Sequence, residues 1–183
     1  SSAASDVYKR QTQLLGFIVE KATGEKLSDY VSRKLWTPMH AEESALWSLD
    51  RKDGMEKAYC CFNSNARDFA RFGQLLLNNG QWDGQQLISP AYLAEATSPD
   101  TRLVYKDLGK PNHCYGFQYW ILDYKGMKIP YMRGILGQYV FTLPEKNAVI
   151  VRLGHKRSDT YTADQHYPDD INTCLLYTSP SPR

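Results

Sequence analysis

The chain changes its hydrophobic period once, near Asp100, and this change constrains the fold more than any other feature. Before that point, apolar residues recur about every 3.6 positions, which predicts amphipathic helices. After it, they alternate with a period near two in four stretches, 115–122, 127–132, 138–143 and 148–153, which predicts strands. The short connections between these strands favour an antiparallel meander. Helices followed by such a sheet predict an α+β fold, with an antiparallel sheet flanked by helices.

The helices of the first hundred residues are indicated by apolar spacing and by residues that begin or end a helix. The first covers 14–22, and Ser28 is expected to cap the start of a second. Asn65 is expected to cap the third and most amphipathic helix, which ends at Asn79-Gly80. Ser89 is followed by Pro, a pattern typical of a helix start, and predicts a fourth short helix.

The two ends of the chain differ in character from the rest. The strings 5–11 and 174–179 can be encoded by opposite strands of one short DNA element, and both resemble translated adapters of sequencing libraries. Segments of that origin are not selected for folding and are set aside from fold reasoning. We therefore expect 1–11 and 174–183 to be adapter-derived tails, and 12–173 to belong to a single domain.

Setting the tails aside removes an apparent excess of positive charge. Lys plus Arg falls from 22 to 19, and Asp plus Glu falls from 20 to 19. A balanced charge gives no reason to expect nucleic acid or an anionic membrane as a partner. No apolar run approaches the roughly 20 residues that a membrane-spanning helix needs. We therefore expect no nucleic-acid partner and no membrane span.

Cysteine and histidine spacing does not favour a metal or disulfide-rich protein. Between 12 and 173 the cysteines are Cys60, Cys61 and Cys114, an odd number without a C-x-x-C pair. The histidines have no metal-ligand spacing. Neither a disulfide framework nor a metal site is predicted, and no cofactor is expected.

Three segments resemble, in the same order, parts of the serine β-lactamase and penicillin-binding-protein family. The first, 13–31, reads QLLGFIVEKATGEKLSDYV and is similar to the helix pair that follows the second active-site motif of class C β-lactamase-like enzymes. The second, 65–80, reads NARDFARFGQLLLNNG and is similar to a later helix. The third, 133–154, reads RGILGQYVFTLPEKNAVIVRLG and is similar to the closing pair of strands.

This resemblance implies a β-lactamase/transpeptidase-like fold, of which 12–173 is expected to be the C-terminal part only. It also implies a serine hydrolase acting on a small amide, ester or β-lactam-like acyl substrate, in a periplasmic or other extracytoplasmic location. Such a site is built from Ser-x-x-Lys, a Tyr motif, and Lys-Thr-Gly or an analogue. No Ser in this chain has Lys three residues later, and the Tyr motif is expected just before Thr12. The chain alone is therefore expected to be inactive.

The third motif is present in altered form as Arg133-Gly134-Ile135-Leu136-Gly137-Gln138. Relatives that hydrolyse short amides or esters carry a similar Gly-Ile-x-Gly-Gln stretch, and there the backbone N–H of the Ile helps to form the oxyanion hole. The resemblance thus implies that the Ile135 N–H is a catalytic donor and that Arg133 contacts an anionic substrate group. The expected substrate-binding residues are Arg133, Gly134, Leu136, Gly137, Gln138 and Tyr115.

Two alternatives remain open from the residues themselves. Gly134 and Gly137 are also compatible with a glycine-rich strand corner that merely permits a bend. The alternative to a serine hydrolase is that the whole protein is a non-catalytic binding or scaffolding protein of the same fold. Arg152 is expected to form a salt bridge rather than to act in catalysis, and aromatic side chains such as Trp120 are expected to pack.

Overall fold

The computed structural model describes residues 2–105, 109–162 and 167–172. The chain divides into two compact units, 1–68 and 69–183. No helix in the described part of the chain is long and apolar enough to cross a membrane.

The first unit begins with a long helix, α1, which spans Ser2–Thr23. Its start lies well before the predicted 14–22, because 2–15 contains neither Gly nor Pro and a helix can therefore continue through it. Helix α2 spans Leu27–Val31 and continues as a π-helical turn over Ser32–Trp36. The unit also contains a short antiparallel pair, β1 (Leu46–Trp47) with β2 (Phe62–Asn63).

The predicted cap at Ser28 is wrong, because α2 begins one residue earlier and Ser28 lies inside it. The two N–H groups at the start of this helix are satisfied by distant carboxylates. Leu27 N–H donates to Glu20 at 3.3 Å, and Ser28 N–H donates to Glu56 at 3.2 Å. Tertiary contacts therefore take over the role that a local capping side chain would have had.

Helix α3 spans Ala66–Leu77, and its predicted cap is confirmed. The Asn65 side-chain oxygen accepts the Asp68 N–H at 2.8 Å, and the Asn65 amide donates back to the Asp68 carboxylate at 2.8 Å. The fully buried Asp68 carboxylate also accepts the backbone N–H groups of Glu42 and Glu43. One acidic side chain thus ties the start of α3 to the preceding connection.

The adjacent residues Cys60 and Cys61 are joined by a disulfide, a bond that the sequence analysis did not predict. Cys114, in the second unit, is a free and buried thiol.

The second unit contains the predicted antiparallel meander. Its strands are β7 (Trp120–Tyr124), β8 (Met127–Arg133), β9 (Tyr139–Leu143) and β10 (Ala148–Arg152), in the spatial order β10-β9-β8-β7. All three neighbouring pairs are antiparallel. Most of α3, from Phe69 onward, also belongs to this unit. It is followed, before the sheet, by the hairpin of β3 (Gln81–Trp82) with β4 (Gln85–Gln86) and by helix α4 (Pro90–Ala96). The short pair of β5 (Val104–Tyr105) with β6 (Lys110–Pro111) comes last.

The predicted first strand, 115–122, is wrong in its first half, since β7 begins only at Trp120. The backbone turns back on itself before that point, where Gly116 N–H donates to the Tyr119 carbonyl at 2.8 Å. Phe117 N–H donates instead to Ala96 at the end of α4, and Gln118 has a φ of 63°. Alternating polarity in this stretch therefore reflects a tight turn that docks on α4.

The sheet is packed on both faces. On one face, Gly73 of α3 lies against Val149 and Val140, so close that an added Cβ would come within 2.5 Å of the Val149 side chain. The other face carries the main core of the unit, which also includes two side chains from the C-terminal segment. Its buried members are Leu122, Ile129, Tyr131, Tyr139, Phe141, Leu143, Tyr167 and Ile171.

Candidate functional site

The loop between β8 and β9 contains the altered third motif. Gly134 N–H donates to the Gln138 carbonyl at 2.8 Å, which closes a tight turn over the three residues between them. Leu136 and Gly137 have φ values of 64° and 87°, a left-handed conformation that glycine adopts easily and leucine rarely. The chain therefore folds back at this point in a backbone shape set by a hydrogen bond and a glycine.

Ile135 lies at the tip of this loop, and the residue is 74% exposed. Among the residues that the structure describes, none accepts a hydrogen bond from the Ile135 N–H. Buried backbone donors are almost always paired, but an exposed donor at a loop tip is open to water or to a ligand. A catalytic role for the Ile135 N–H stays a prediction.

Gly137 and Gln138 hold the loop in place. Gly137 is buried, and an added Cβ would collide with the Lys156 carbonyl and the Arg152 guanidinium. The Gln138 side-chain amide donates to the Gly154 carbonyl at 2.5 Å. Both residues therefore join the loop to the segment that follows β10. For Gly137 this agrees with the strand-corner interpretation, and a substrate-binding role for these two residues stays a prediction.

Arg133 ends β8, and its guanidinium lies against an aromatic ring. The guanidinium carbon is 3.4 Å from the centroid of the Trp120 ring. Tyr115 approaches the same indole edge-on, with ring centroids 4.8 Å apart, and its hydroxyl donates to the Gln118 side chain at 3.3 Å. The structure thus brings the predicted Arg133 and Tyr115 together through Trp120.

Strand register explains this arrangement. Trp120 of β7 is directly opposite Tyr131 of β8, and Arg133 lies two residues further along β8. Residues two apart on a strand share a face, so Arg133 is the diagonal neighbour of Trp120, within reach of a long side chain. The aromatic period of 115–122 predicted packing for Trp120. Only the pairing of the two strands shows that Arg133 is one of the groups it packs against.

Two titratable side chains near Arg133, those of Cys114 and Tyr131, have raised pKa values. Burial raises the pKa of the Cys114 thiol, an effect that the positive charge of Arg133 partly offsets. Burial likewise raises the pKa of Tyr131, which Arg133 also partly offsets. Neither side chain is therefore an anion at pH 7.

Arg152 provides a useful contrast on the same sheet. Arg152 on β10 lies opposite Tyr139 on β9, and Tyr139 in turn lies opposite Arg133 on β8. The Arg152 guanidinium carbon is 5.4 Å from the centroid of the Tyr139 ring. One of its nitrogens lies 2.5 Å from the Asp170 carboxylate, and the other donates to the Lys156 carbonyl. Its predicted role as a salt-bridge partner is confirmed. Within the described ranges, no group of three or more His, Cys, Asp or Glu side chains could hold a metal ion.

Comparison with known proteins shows which family and which relatives the chain resembles. The family model described as β-lactamase matches residues 11–170. A 6-aminohexanoate-dimer hydrolase from Paenarthrobacter ureafaciens is 28% identical over 146 residues, which is 78% of this chain and 37% of that protein. The matched part therefore spans well under half of the relative.

Two solved structures also superpose on most of this chain. A Bacillus anthracis protein named as a 6-aminohexanoate-dimer hydrolase superposes with a TM-score of 0.68 at 27% identity, over 89% of this chain and 39% of that one. A penicillin-binding-protein homologue from Caulobacter crescentus superposes with a TM-score of 0.60 at 15% identity, over 81% of this chain and 52% of that one. The second likeness bears on the fold alone. The expected β-lactamase/transpeptidase-like fold is confirmed.

Proposed function

Because this chain belongs to the β-lactamase family, we propose that it supplies the oxyanion donor and part of the substrate-binding surface of a serine hydrolase. The reaction is cleavage of a small amide, ester or β-lactam-like acyl compound through an acyl-enzyme. An amide is favoured among these, because the relatives with the highest identity reported above are named as hydrolases of a 6-aminohexanoate dimer.

The Ile135 N–H is the observation that carries the proposal. When a serine attacks an acyl carbon, negative charge develops on the former carbonyl oxygen, and a preorganised N–H lowers the energy of that oxyanion. The donor must be fixed and must not be used elsewhere. The Gly134–Gln138 hydrogen bond supports the first requirement, and the exposed loop tip supports the second.

The nucleophile has to come from another segment. Ser48 and Ser64 have Arg, not Lys, three residues later, and a guanidinium stays protonated and cannot act as a base. Loss of one oxyanion donor costs roughly a hundredfold to a thousandfold in rate, whereas loss of the serine costs about a millionfold. The chain alone is therefore proposed to be inactive, and a chain that also carries Ser-x-x-Lys and the Tyr motif to be active.

The test compares two proteins. The first is this chain. The second, called the joined protein below, places residues 12–173 behind the preceding part of the Paenarthrobacter ureafaciens hydrolase, which must include a Ser-x-x-Lys sequence. We expect a serine-directed fluorophosphonate to label the folded fraction of the joined protein and not this chain. A Ser→Ala variant of the joined protein's nucleophile is the control.

Failure of the folded joined protein to label, or to hydrolyse a short amide or ester, would favour the alternative of a non-catalytic binding protein of this fold. Labelling of this chain would show that a serine within it is the nucleophile, and the proposed division of the site would be wrong.

A further inference from the structure

We propose that the Cys60–Cys61 disulfide is a reversible modification site for low-molecular-weight thiols, and that the Trp47 indole reports its redox state. The two cysteines are adjacent in the chain; Cys61 is exposed and Cys60 is partly buried. A disulfide that solvent reaches is open to attack by an external thiolate. Exchange at this site requires no serine nucleophile, so it is tested on this chain as it exists.

The connectivity of the disulfide ring is the first step. A disulfide between neighbouring residues closes a ring that contains the peptide bond between them. The same ring contains the backbone bond on each side of that peptide, whose torsions are ψ of Cys60 and φ of Cys61. These two soft torsions set the orientation of the peptide plane. Closing the ring therefore restricts how the plane is oriented, and opening the ring removes that restriction.

The backbone conformation of Cys61 is the second step. Its φ is 68°, in the left-handed region that glycine adopts easily and that costs free energy for a residue with a Cβ. The structure holds Cys61 in this region while the ring is closed. In the reduced chain the residue is free to return to a negative φ, and the peptide plane turns with it.

Hydrogen bonds on both sides of the ring keep this change local. Before the ring, the Cys60 N–H donates to the Lys57 carbonyl at 3.0 Å. After the ring, the Cys61 carbonyl accepts the Ser48 N–H at 3.1 Å and the Asn63 side-chain amide at 2.9 Å. The peptide plane between these two anchors is the part that turns.

Trp47 senses the orientation of this plane directly. Its indole N–H is shared between the Lys57 carbonyl at 3.1 Å and the Cys60 carbonyl at 3.0 Å. The Cys60 carbonyl belongs to the peptide plane inside the ring, so a turn of the plane removes this acceptor. The Lys57 carbonyl lies outside the ring and remains bonded. Reduction should therefore weaken one of the two hydrogen bonds and leave the edge-on contact of Trp47 with Phe62 in place.

The chemistry is thiol–disulfide exchange. The thiolate of an external thiol attacks the sulfur of the exposed Cys61, the S–S bond breaks, and the Cys60 sulfur leaves as a thiolate that takes up a proton. A second external thiolate attacks the mixed disulfide and releases the Cys61 thiol. Two external thiols are thereby oxidised to one external disulfide, while the two protein sulfurs are reduced. Excess external disulfide reverses both steps.

The first experiment counts thiols in this chain with Cys114→Ala and Cys174→Ala, so that the remaining cysteines are the pair. Iodoacetamide followed by measurement of the intact mass should give no label on the oxidised chain. Pretreatment with reduced glutathione should give two labels, and glutathione disulfide should restore the unlabelled state. With Cys60→Ala in the same background, Cys61 should form a mixed disulfide with glutathione faster than Cys60 does in the Cys61→Ala variant.

The second experiment follows the indole N–H groups by ¹H–¹⁵N spectroscopy. On reduction, the Trp47 proton signal should move upfield, because a hydrogen bond is weakened. Trp82 and Trp120 belong to the second unit, and their signals are the internal control that should not move. Trp36 donates to the Glu43 carbonyl at 2.9 Å, and a persistent signal from it checks that the first unit stays folded.

Two substitutions separate the effect of the ring from the loss of a sulfur. Cys61→Ala removes the disulfide and places at 61 a residue that disfavours positive φ, so its Trp47 signal should match that of the reduced chain. Cys61→Gly also removes the disulfide but accepts positive φ, so its Trp47 signal should lie closer to that of the oxidised chain.

Each step can be overturned by a separate result. Two labels without reductant would show that the disulfide does not form, and no label after reduced glutathione would show that it does not exchange. An unmoved Trp47 signal on reduction, or equal signals in Cys61→Ala and Cys61→Gly, would show that the indole does not report the ring. Movement of the Trp82 and Trp120 signals together with that of Trp47 would show that the change is not local.

Discussion

The Gly134 N–H donates a 2.8 Å hydrogen bond to the Gln138 carbonyl, and this bond closes the loop that carries Ile135. Gly134 directly follows β8 and Gln138 directly precedes β9, so the loop geometry is coupled to the register of these strands. The direction of the Ile135 N–H therefore depends on a contact that no side chain makes.

Gly134→Pro in the joined protein should lower activity more than stability. Proline has no N–H, so the bond to Gln138 is lost and the following Ile135 N–H is re-aimed. We expect kcat/KM for a short amide or ester to fall about a hundredfold or more, as for loss of an oxyanion donor. Gly126→Asn, in the tight turn between β7 and β8, is the control and should leave kcat/KM unchanged. Equal activity in Gly134→Pro and its parent would mean that 133–138 is only a strand corner.

Asp170→Asn should destabilise the chain through the Arg152 pair. The two side chains are 21% and 32% exposed, so the pair is partly shielded from water, and Tyr139 also donates to Asp170. We expect the free energy of unfolding to fall by about 1–2 kcal/mol, between the values for exposed and buried pairs. Asp123→Asn breaks the more exposed pair with Lys128 and should cost under about 0.5 kcal/mol. Urea unfolding measures both, and a larger loss in the exposed pair would contradict this ranking.

Asn65→Ala should weaken the start of α3. The substitution removes the acceptor of the Asp68 N–H and a donor to the buried Asp68 carboxylate. Loss of such a cap costs about 1 kcal/mol. We expect the free energy of unfolding, measured by urea unfolding, to fall by at least that amount. Ser89→Ala removes the cap of α4, where the hydrogen bond to Tyr92 is long, at 3.5 Å, and should cost less. The prediction is wrong if the two substitutions are equivalent.

Glu56 should make stability depend on acid pH. Burial by itself raises the pKa of this carboxyl, but the hydrogen bonds from the Ser28 hydroxyl and N–H, with the charge of Lys26, lower the pKa overall. A carboxyl with a depressed folded-state pKa contributes stability above its unfolded pKa, about 4.3, and loses it as the pH falls through the folded value.

Unfolding free energies between pH 7 and pH 3 test this dependence. Glu56→Gln should be less stable at pH 7 and should lose part of the acid-dependent slope of the parent. Glu145→Gln, at an exposed position, is the control and should keep the parent's slope. Parallel pH profiles for Glu56→Gln and the parent would show that the Ser28 contacts do not favour the charged carboxylate.

Local signals in the sequence determined much of the fold. Asn65 caps α3 and Ser89 caps α4 because a capping side chain bonds to N–H groups two or three residues away, and that spacing is visible in any sequence. Alternating polarity and short connections likewise predict the strands β8, β9 and β10, because both signals are local and visible in the sequence. The likeness of 133–154 to a known pair of strands predicts a loop that carries Ile135 between β8 and β9.

Tertiary structure decided the rest. Ser28 is not a cap because carboxylates from Glu20 on α1 and from Glu56, both outside the helix, bind the start of α2 instead. The strand predicted from residue 115 begins at Trp120 because α4 captures the preceding turn through Phe117. Arg133 lies on Trp120 because β7 and β8 pair in one register, and a shift of one residue would send the two side chains to opposite faces of the sheet. Each of these contacts joins residues whose proximity depends on how separate elements pack, and no spacing along the chain specifies it.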